Sequence, residues 1–172
     1  LGASLFDASE DCIEIVGLDG ALLAINANGA RLLEIDDFEP MRGSPWAQMW
    51  PEPHRSAIEK AVVHARAGRV SRFSAECATA KGTPKVWEVL VSPVFDPEGA
   101  PVQVVAVSRD ITDRRRIEQE NALLALELAH RIKNMFAVVD GVISMSARAT
   151  PDATLFAAAL RIRVYGAGWR RW

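Results

Sequence analysis

The hydrophobic pattern changes period near residue 113, and no single class of secondary structure accounts for both sides of that change. Upstream, short apolar runs alternate with turn signals; downstream, a helical pattern continues to Thr150-Pro151. Strand-period and helix-period patterns bury different faces, so two kinds of unit are expected in series. A chain of 172 residues is long enough for one domain plus an extension, or for two small domains.

The upstream part reads as five strands and two helices. Ile13-Glu14-Ile15-Val16 and Ala21-Leu22-Leu23-Ala24-Ile25 flank Asp19-Gly20, which predicts a hairpin with a two-residue turn. Residues 70–79 and 86–91 flank Lys81-Gly82-Thr83-Pro84. Residues 86–94 and 102–107 flank Asp96-Pro97-Glu98-Gly99, a type I turn closed by glycine. Between the hairpin and this three-stranded meander, Asn28 is expected to cap a short helix beginning at Gly29. Pro53 opens a second helix, whose Ile58, Ala61, Val62 and Ala65 form one apolar stripe, and Gly68 ends it. The order β-β-α-α-β-β-β predicts an α+β fold, a five-stranded antiparallel sheet with helices on one face.

Downstream, Ile117, Leu124, Val138 and Met145 lie on one seven-residue series, interrupted by Arg131. Leu128, Met135, Val142 and Ala149 lie on an interleaved series that starts at polar Asn121, with Ala125, Ile132 and Val139 beside them. A stripe this wide suits the core of a helical bundle. Thr150-Pro151 stops this helix and starts another, giving an α-helical hairpin. So small a hairpin buries little by itself, which makes a second copy of the chain the expected partner, as a homodimer.

Composition narrows the classes. A net charge of −2 gives no electrostatic reason to expect nucleic acid, and Arg114-Arg115-Arg116 sits among acidic residues as a solvated linker would. No apolar run reaches the roughly 18 residues of a membrane span. Cys12 and Cys77, both placed on strands, read as reduced thiols of a cytoplasmic protein, and no metal-ligand spacing occurs. A start at Leu1 rather than Met suggests a chain cut from something longer.

One site points to a chemistry. His130 stands in Glu127-Leu128-Ala129-His130-Arg131-Ile132-Lys133-Asn134, on an exposed flank of the long helix. A phosphate-accepting imidazole must be neutral, exposed and free to attack. Asn134 lies one turn on, within reach of the same space. Arg131 and Lys133 add positive charge that disfavours a protonated imidazole and suits a phosphate.

Two resemblances follow. Residues 5–112 resemble a PAS sensor domain, through Lys81-Gly82-Thr83-Pro84-Lys85-Val86-Trp87, Ser92-Pro93-Val94 and above all Ser108-Arg109-Asp110-Ile111-Thr112. In that family Asp110, Ile111 and Thr112 would close the last strand and relay a signal into the helix that follows. Residues 118–162 resemble the dimerisation and phosphoacceptor region of HWE or HisKA-2 sensor histidine kinases, through the His-Arg-x-Lys-Asn box at 130–134. Arg131, where the commoner kinases carry an acidic residue, points to this branch. The implied organisation is a PAS-like sensor at residues 1–112, a signalling helix at 113–120, and phosphoacceptor helices at 121–172.

The resemblance implies a two-component sensor histidine kinase phosphorylated on His130 and passing phosphate to an Asp of a response regulator. ATP and Mg²⁺ are implied for the full kinase, held by a separate ATP-binding domain, because this chain has no glycine-rich or asparagine-rich nucleotide box. The fragment itself requires no cofactor and is not expected to be active alone. Haem would need an inward His, and His64 is expected to face solvent; a photoactive flavin–thiol site would need the Asn-Cys-Arg-Phe box, which is absent. The sensor's ligand is thus left open. The stretch after Arg163, with Gly166 and Gly168, departs from the kinase pattern. Two other classes stay open: a non-catalytic dimerising adaptor, and a phosphotransfer protein served by a separate kinase.

Overall fold

A computed structural model describes residues 6–149, 152 and 155–158. The chain divides into two compact units, Leu1–Arg116 and Ile117–Trp172.

The first unit holds strands β1 (Cys12–Val16), β2 (Leu22–Ile25), β3 (Ser71–Glu76), β4 (Val86–Phe95) and β5 (Pro101–Asp110), with helices α1 (Ala27–Leu32) and α2 (Glu52–Arg66) between β2 and β3. The sheet is antiparallel throughout in the order β2-β1-β5-β4-β3, so the last strand closes the fold beside the first. This is the expected α+β architecture. Helix α2 crosses β3, β4 and β5, burying Ile58, Ala61, Val62 and Ala65 as their spacing predicts. Two single turns of 3₁₀ helix, Glu39–Met41 and Trp46–Met49, bring Trp46 and Trp50 into the core, where their rings meet edge to face at 6.2 Å.

Three local expectations are corrected. The β1–β2 connection spans residues 17–21 rather than two, closed by Gly17 N–H to the Ala21 carbonyl at 2.8 Å, because a bulge at Ile15/Val16 shifts the register. Gly20 supplies the positive φ of +89° that this turn needs.

The cap of α1 is Asn26, not Asn28. The Asn26 side chain is fully buried; its Oδ1 accepts from Gly29 N–H and Ile13 N–H, both at 2.9 Å, and its Nδ2 donates to the Phe6 and Asp11 carbonyls, both at 3.0 Å. One amide thus caps a helix and ties it to β1, whereas Asn28 faces outward to Glu10 and Arg31. Gly29 packs so tightly that a Cβ there would meet Asn26 Oδ1, Cys12 Sγ and Ile25 Cγ1 at 2.6–2.8 Å.

Strand β3 also ends earlier than its apolar run suggests, so Cys77 lies just beyond it. The Cys77 carbonyl accepts from the Trp87 indole at 2.9 Å.

Helix α3 (Thr112–Ala149) starts in the first unit and forms the described part of the second, with residues 155–158 also helical. Gly141 lies within α3 without ending it, at a cost of roughly 1 kcal/mol relative to Ala. Thr150, Pro151 and the residues from 159 on, including the glycine-containing tail, lie outside the described residues.

Candidate functional site

The strand-to-helix junction shows what Asp110, Ile111 and Thr112 do physically. Asp110 Oδ1 accepts from Thr112 N–H at 2.9 Å and from the Thr112 hydroxyl at 2.5 Å, and so caps the start of α3. The Thr112 hydroxyl oxygen accepts from Val86 N–H at 3.0 Å, and Ile111 N–H donates to the Val86 carbonyl at 2.9 Å. Buried Ile111 pins the chain between these contacts. Asp110 Oδ2 meets Lys85 Nζ at 2.5 Å, a partner 25 positions away that composition could not assign. Burial alone would raise the Asp110 carboxyl, but the hydrogen bonds from Lys85 and Thr112 together outweigh it and hold its pKa below the usual carboxylate value. The last strand, the neighbouring strand β4 and the first turn of α3 are therefore joined through one carboxylate.

On α3 the His130 box is exposed, as the sequence predicts. Asn134 Nδ2 lies 3.0 Å from His130 Nε2, across one helical turn. With Nδ2 as donor, Nε2 carries the lone pair and Nδ1 the proton. Arg131 pairs with Glu127 at 2.5 Å, pointing its guanidinium back along the helix. Lys133 is the other cation of the box. Leu124, Leu128, Ile132, Met135 and Val138, the stripe assigned to a bundle core, are all exposed on the single chain.

A third feature belongs to tryptophans whose default reading is core packing, although Trp46, Trp50 and Trp87 could line a pocket; Trp50 and Trp87 do, and Trp46 does not. Between the sheet and the segment carrying the 3₁₀ turns lies a cavity of about 210 Å³, walled by apolar groups that include Leu33, Met49, Trp50 and Trp87. Two polar side chains open onto it from adjacent strands, Glu14 of β1 and Ser108 of β5. They share a sheet face, because Cys12 pairs with Ser108 and Glu14 with Ala106. Glu14 is only 5% exposed, and burial pushes its carboxyl up to about 7 against the lowering influence of Trp46 and Ser108. The Ser108 hydroxyl and the Trp46 indole N–H complete no hydrogen bond of ordinary geometry.

Cys12 and Cys77 also touch the cavity, and burial raises both thiols. Both cysteines are free. His64 is half-buried rather than solvent-facing, its Nδ1 3.1 Å from Ser71 Oγ, and neither it nor His54 lines the cavity.

Similarities to known proteins fall on these same segments. A family model described as the PAS fold matches residues 6–116, and one described as HWE histidine kinase matches residues 127–166. A protein of Rhizobium johnstonii named blue-light-activated histidine kinase is 32% identical over 117 residues, which are 65% of this chain and 33% of that protein. A protein of the same name from Brucella ovis is 37% identical over 49 residues, 28% of this chain and 10% of its own length. The chain thus spans a third or less of the curated relatives it matches. Among solved structures, a PAS domain from Colwellia psychrerythraea superposes with a TM-score of 0.57 at 21% identity, covering 65% of this chain and 95% of that one. An RNA-binding light-oxygen-voltage receptor gives 0.59 at 19% identity, covering 71% and 35%. At these identities the structural likeness establishes the fold alone.

Proposed function

Because the chain belongs to the PAS-fold family and carries an HWE histidine kinase region, we propose that it is the sensing and phosphoacceptor part of a two-component sensor histidine kinase, with His130 as the residue phosphorylated. The observation that carries this reading is the His130–Asn134 pair, an exposed imidazole steered by a side-chain amide one turn away.

In that pair the Nε2 lone pair is the nucleophile, released for attack when the Asn134 amide that donates to it swings aside. It attacks the γ-phosphorus of ATP, the bond to the β-phosphate oxygen breaks, ADP leaves, and the ring proton on Nδ1 passes to solvent. Asn134 orients the ring, and Lys133 supplies positive charge for the transferring group, since positioning and charge stabilisation dominate this chemistry. Arg131, tied to Glu127, fixes that flank of the helix instead. ATP and Mg²⁺ would come with a separate ATP-binding domain, and the phosphoryl group would pass on to a response-regulator Asp.

A second copy of the chain is the partner proposed for the stripe of Leu124, Leu128, Ile132, Met135 and Val138. Five exposed apolar side chains along one helix form a face that single soluble chains rarely leave uncovered. Among the described residues no helix is long and apolar enough to cross a membrane. A cytoplasmic location is part of the proposal.

The signal would travel through Asp110, Ile111 and Thr112. A change in the sheet that lengthens the Lys85–Asp110 or Thr112–Val86 contacts frees the first turn of α3, a two-state event at the head of the helix bearing His130. The name of the blue-light-activated relatives raises a chromophore for the first unit. Against a flavin nucleotide speaks the cavity wall, which among the described residues includes no Lys, Arg or His for its phosphate. The lack of a histidine among the described lining residues speaks against haem in the same way.

The test is to incubate the chain with an HWE-type ATP-binding domain, Mg²⁺ and γ-labelled ATP. Acid-labile, alkali-stable label that disappears in His130→Ala is the expected result. No label with several such domains would favour a non-catalytic dimerising adaptor.

A further inference from the structure

The cavity of the first unit combines two properties that rarely coexist without a ligand. Its wall is largely apolar, with the indoles of Trp50 and Trp87 contributing to it. Yet a carboxyl and a hydroxyl, 5% and 3% exposed, open onto it from β1 and β5. A buried polar group without a partner costs roughly 1–3 kcal/mol, and nearly all such groups in folded proteins are satisfied. The Ser108 hydroxyl and the Trp46 indole lie against the Glu14 carboxyl without completing a hydrogen bond of ordinary geometry, and among the described residues no Lys or Arg lies along the wall to pair with Glu14. Cys12 and Val16, apolar and fully buried, stand on either side of Glu14 on that face, so the carboxyl is the one charged group in that row of β1.

The chemistry of this wall selects among ligands. With one carboxyl and no cation, it repels phosphates and carboxylates. Glu14 accepts from an N–H donor when ionised and both accepts and donates when protonated; Ser108 beside it does either. Flat indole walls and the nearby Met41 and Met49 thioethers favour a planar, polarisable body. A cavity of about 210 Å³ is smaller than the roughly 300–1,000 Å³ of sites that enclose drug-sized ligands. One or two fused rings match that limit.

We propose that this cavity binds a small N–H-bearing heteroaromatic or aromatic amine, its nitrogen seated on Glu14 and Ser108 and its ring between Trp50 and Trp87. The inference rests on reading the first unit as the sensor, and it names the class of cue that the sensor takes. Binding there would lean on β5, the central strand of the sheet, and on its neighbour β1, and β5 is the strand that ends in Asp110.

The experiment uses the intact 172-residue chain and needs no kinase activity, so its failure is separate from any failure at His130. Benzimidazole and tryptamine are titrated against benzoate and flavin mononucleotide, reading quenching of tryptophan fluorescence and the shift in melting temperature. Benzimidazole or tryptamine should quench and stabilise, and benzoate and flavin mononucleotide should do neither. Glu14→Gln should weaken the amine or heteroaromatic at least tenfold, and Glu14→Leu should abolish binding. Melting curves of the free variants show that each is folded, and Ser108→Ala provides a second, milder loss on the same polar pair. The proposal is overturned if benzoate or the flavin nucleotide binds as well as benzimidazole, if none of the four binds, or if folded Glu14→Leu binds as tightly as the parent chain.

Discussion

The two units distribute polarity in opposite ways. The first hides polar groups: Asn26, Glu14 and Ser108 are buried among apolar neighbours. The second shows apolar groups: Leu124, Leu128, Met135 and Val138 stand exposed along α3. A buried polar group is stable only where geometry supplies partners, and an exposed apolar stripe only where another surface covers it. The first arrangement suits a fold that specifies one conformation and holds a ligand, the second a helix whose packing is completed from outside. Removing polarity should therefore damage the first unit, and adding it should damage the association of the second.

The largest effect is expected at Asn26. Asn26→Ala leaves the N–H groups of Ile13 and Gly29 and the carbonyls of Phe6 and Asp11 without their partner. Losing a helix cap together with a buried bridge should cost about 4 kcal/mol, read as a lower midpoint in urea unfolding. A loss under about 1 kcal/mol would mean that the amide is not the tie between α1 and β1.

Glu14 should reveal itself through pH. Its carboxyl is raised from 4.5 to about 7 by burial, so the folded state holds its proton after the unfolded chain has released it. The stability this gives is full below pH 4.5 and is lost as pH rises to about 7, a change of about 3 kcal/mol. The titratable groups that face it, Cys12 and Cys77, are both pushed up and stay protonated across that window. Glu14→Gln should flatten the slope and be more stable than the parent chain above pH 7. An unchanged slope would place the titration elsewhere.

Much of this architecture was legible in the sequence. Turns at Asp96-Pro97-Glu98-Gly99 and Lys81-Gly82-Thr83-Pro84, and the stripe of α2, carry local physics and marked five strands and a helix close to their places. The polar interior was not legible. In Ile13-Glu14-Ile15, alternation argues that the two isoleucines face inward and the glutamate outward, yet Cys12, Glu14 and Val16 are the buried set. Only the pairing of β1 with β5, residues 88 to 96 apart, decides which face is covered. Asn26 and Asn28 are both plausible caps two positions apart, and contacts with Phe6 and Asp11 chose between them. The His130 box was legible because its members lie within two turns of one helix, where spacing alone fixes neighbours. The Lys85 partner of Asp110 was not.

The apolar stripe offers a smaller, more specific test. Leu128→Glu should leave the first unit's melting unchanged and weaken self-association about 30-fold, about 2 kcal/mol, in sedimentation velocity. A monomeric parent chain, or equal association of the variant, would remove the second copy from the account. Smallest is Asp110→Asn, which keeps the shape but loses the ion pair with Lys85. Asp110 is held below its usual pKa, so its contribution is full above pH 3.8 and is lost as pH falls further. The variant should lose about 1 kcal/mol at neutral pH, with faster amide hydrogen exchange in the first turn of α3. If exchange there is unchanged, Asp110 does not hold the head of the helix.

The most direct measurement is the site of phosphorylation itself. After reaction with an HWE-type ATP-binding domain, the chain is kept at alkaline pH and fragmented by electron-transfer mass spectrometry. A single phosphoryl group on His130, with slower labelling in Asn134→Ala, is the predicted result. A phosphoryl group on any other residue, or equal modification of His130→Ala, would contradict the account.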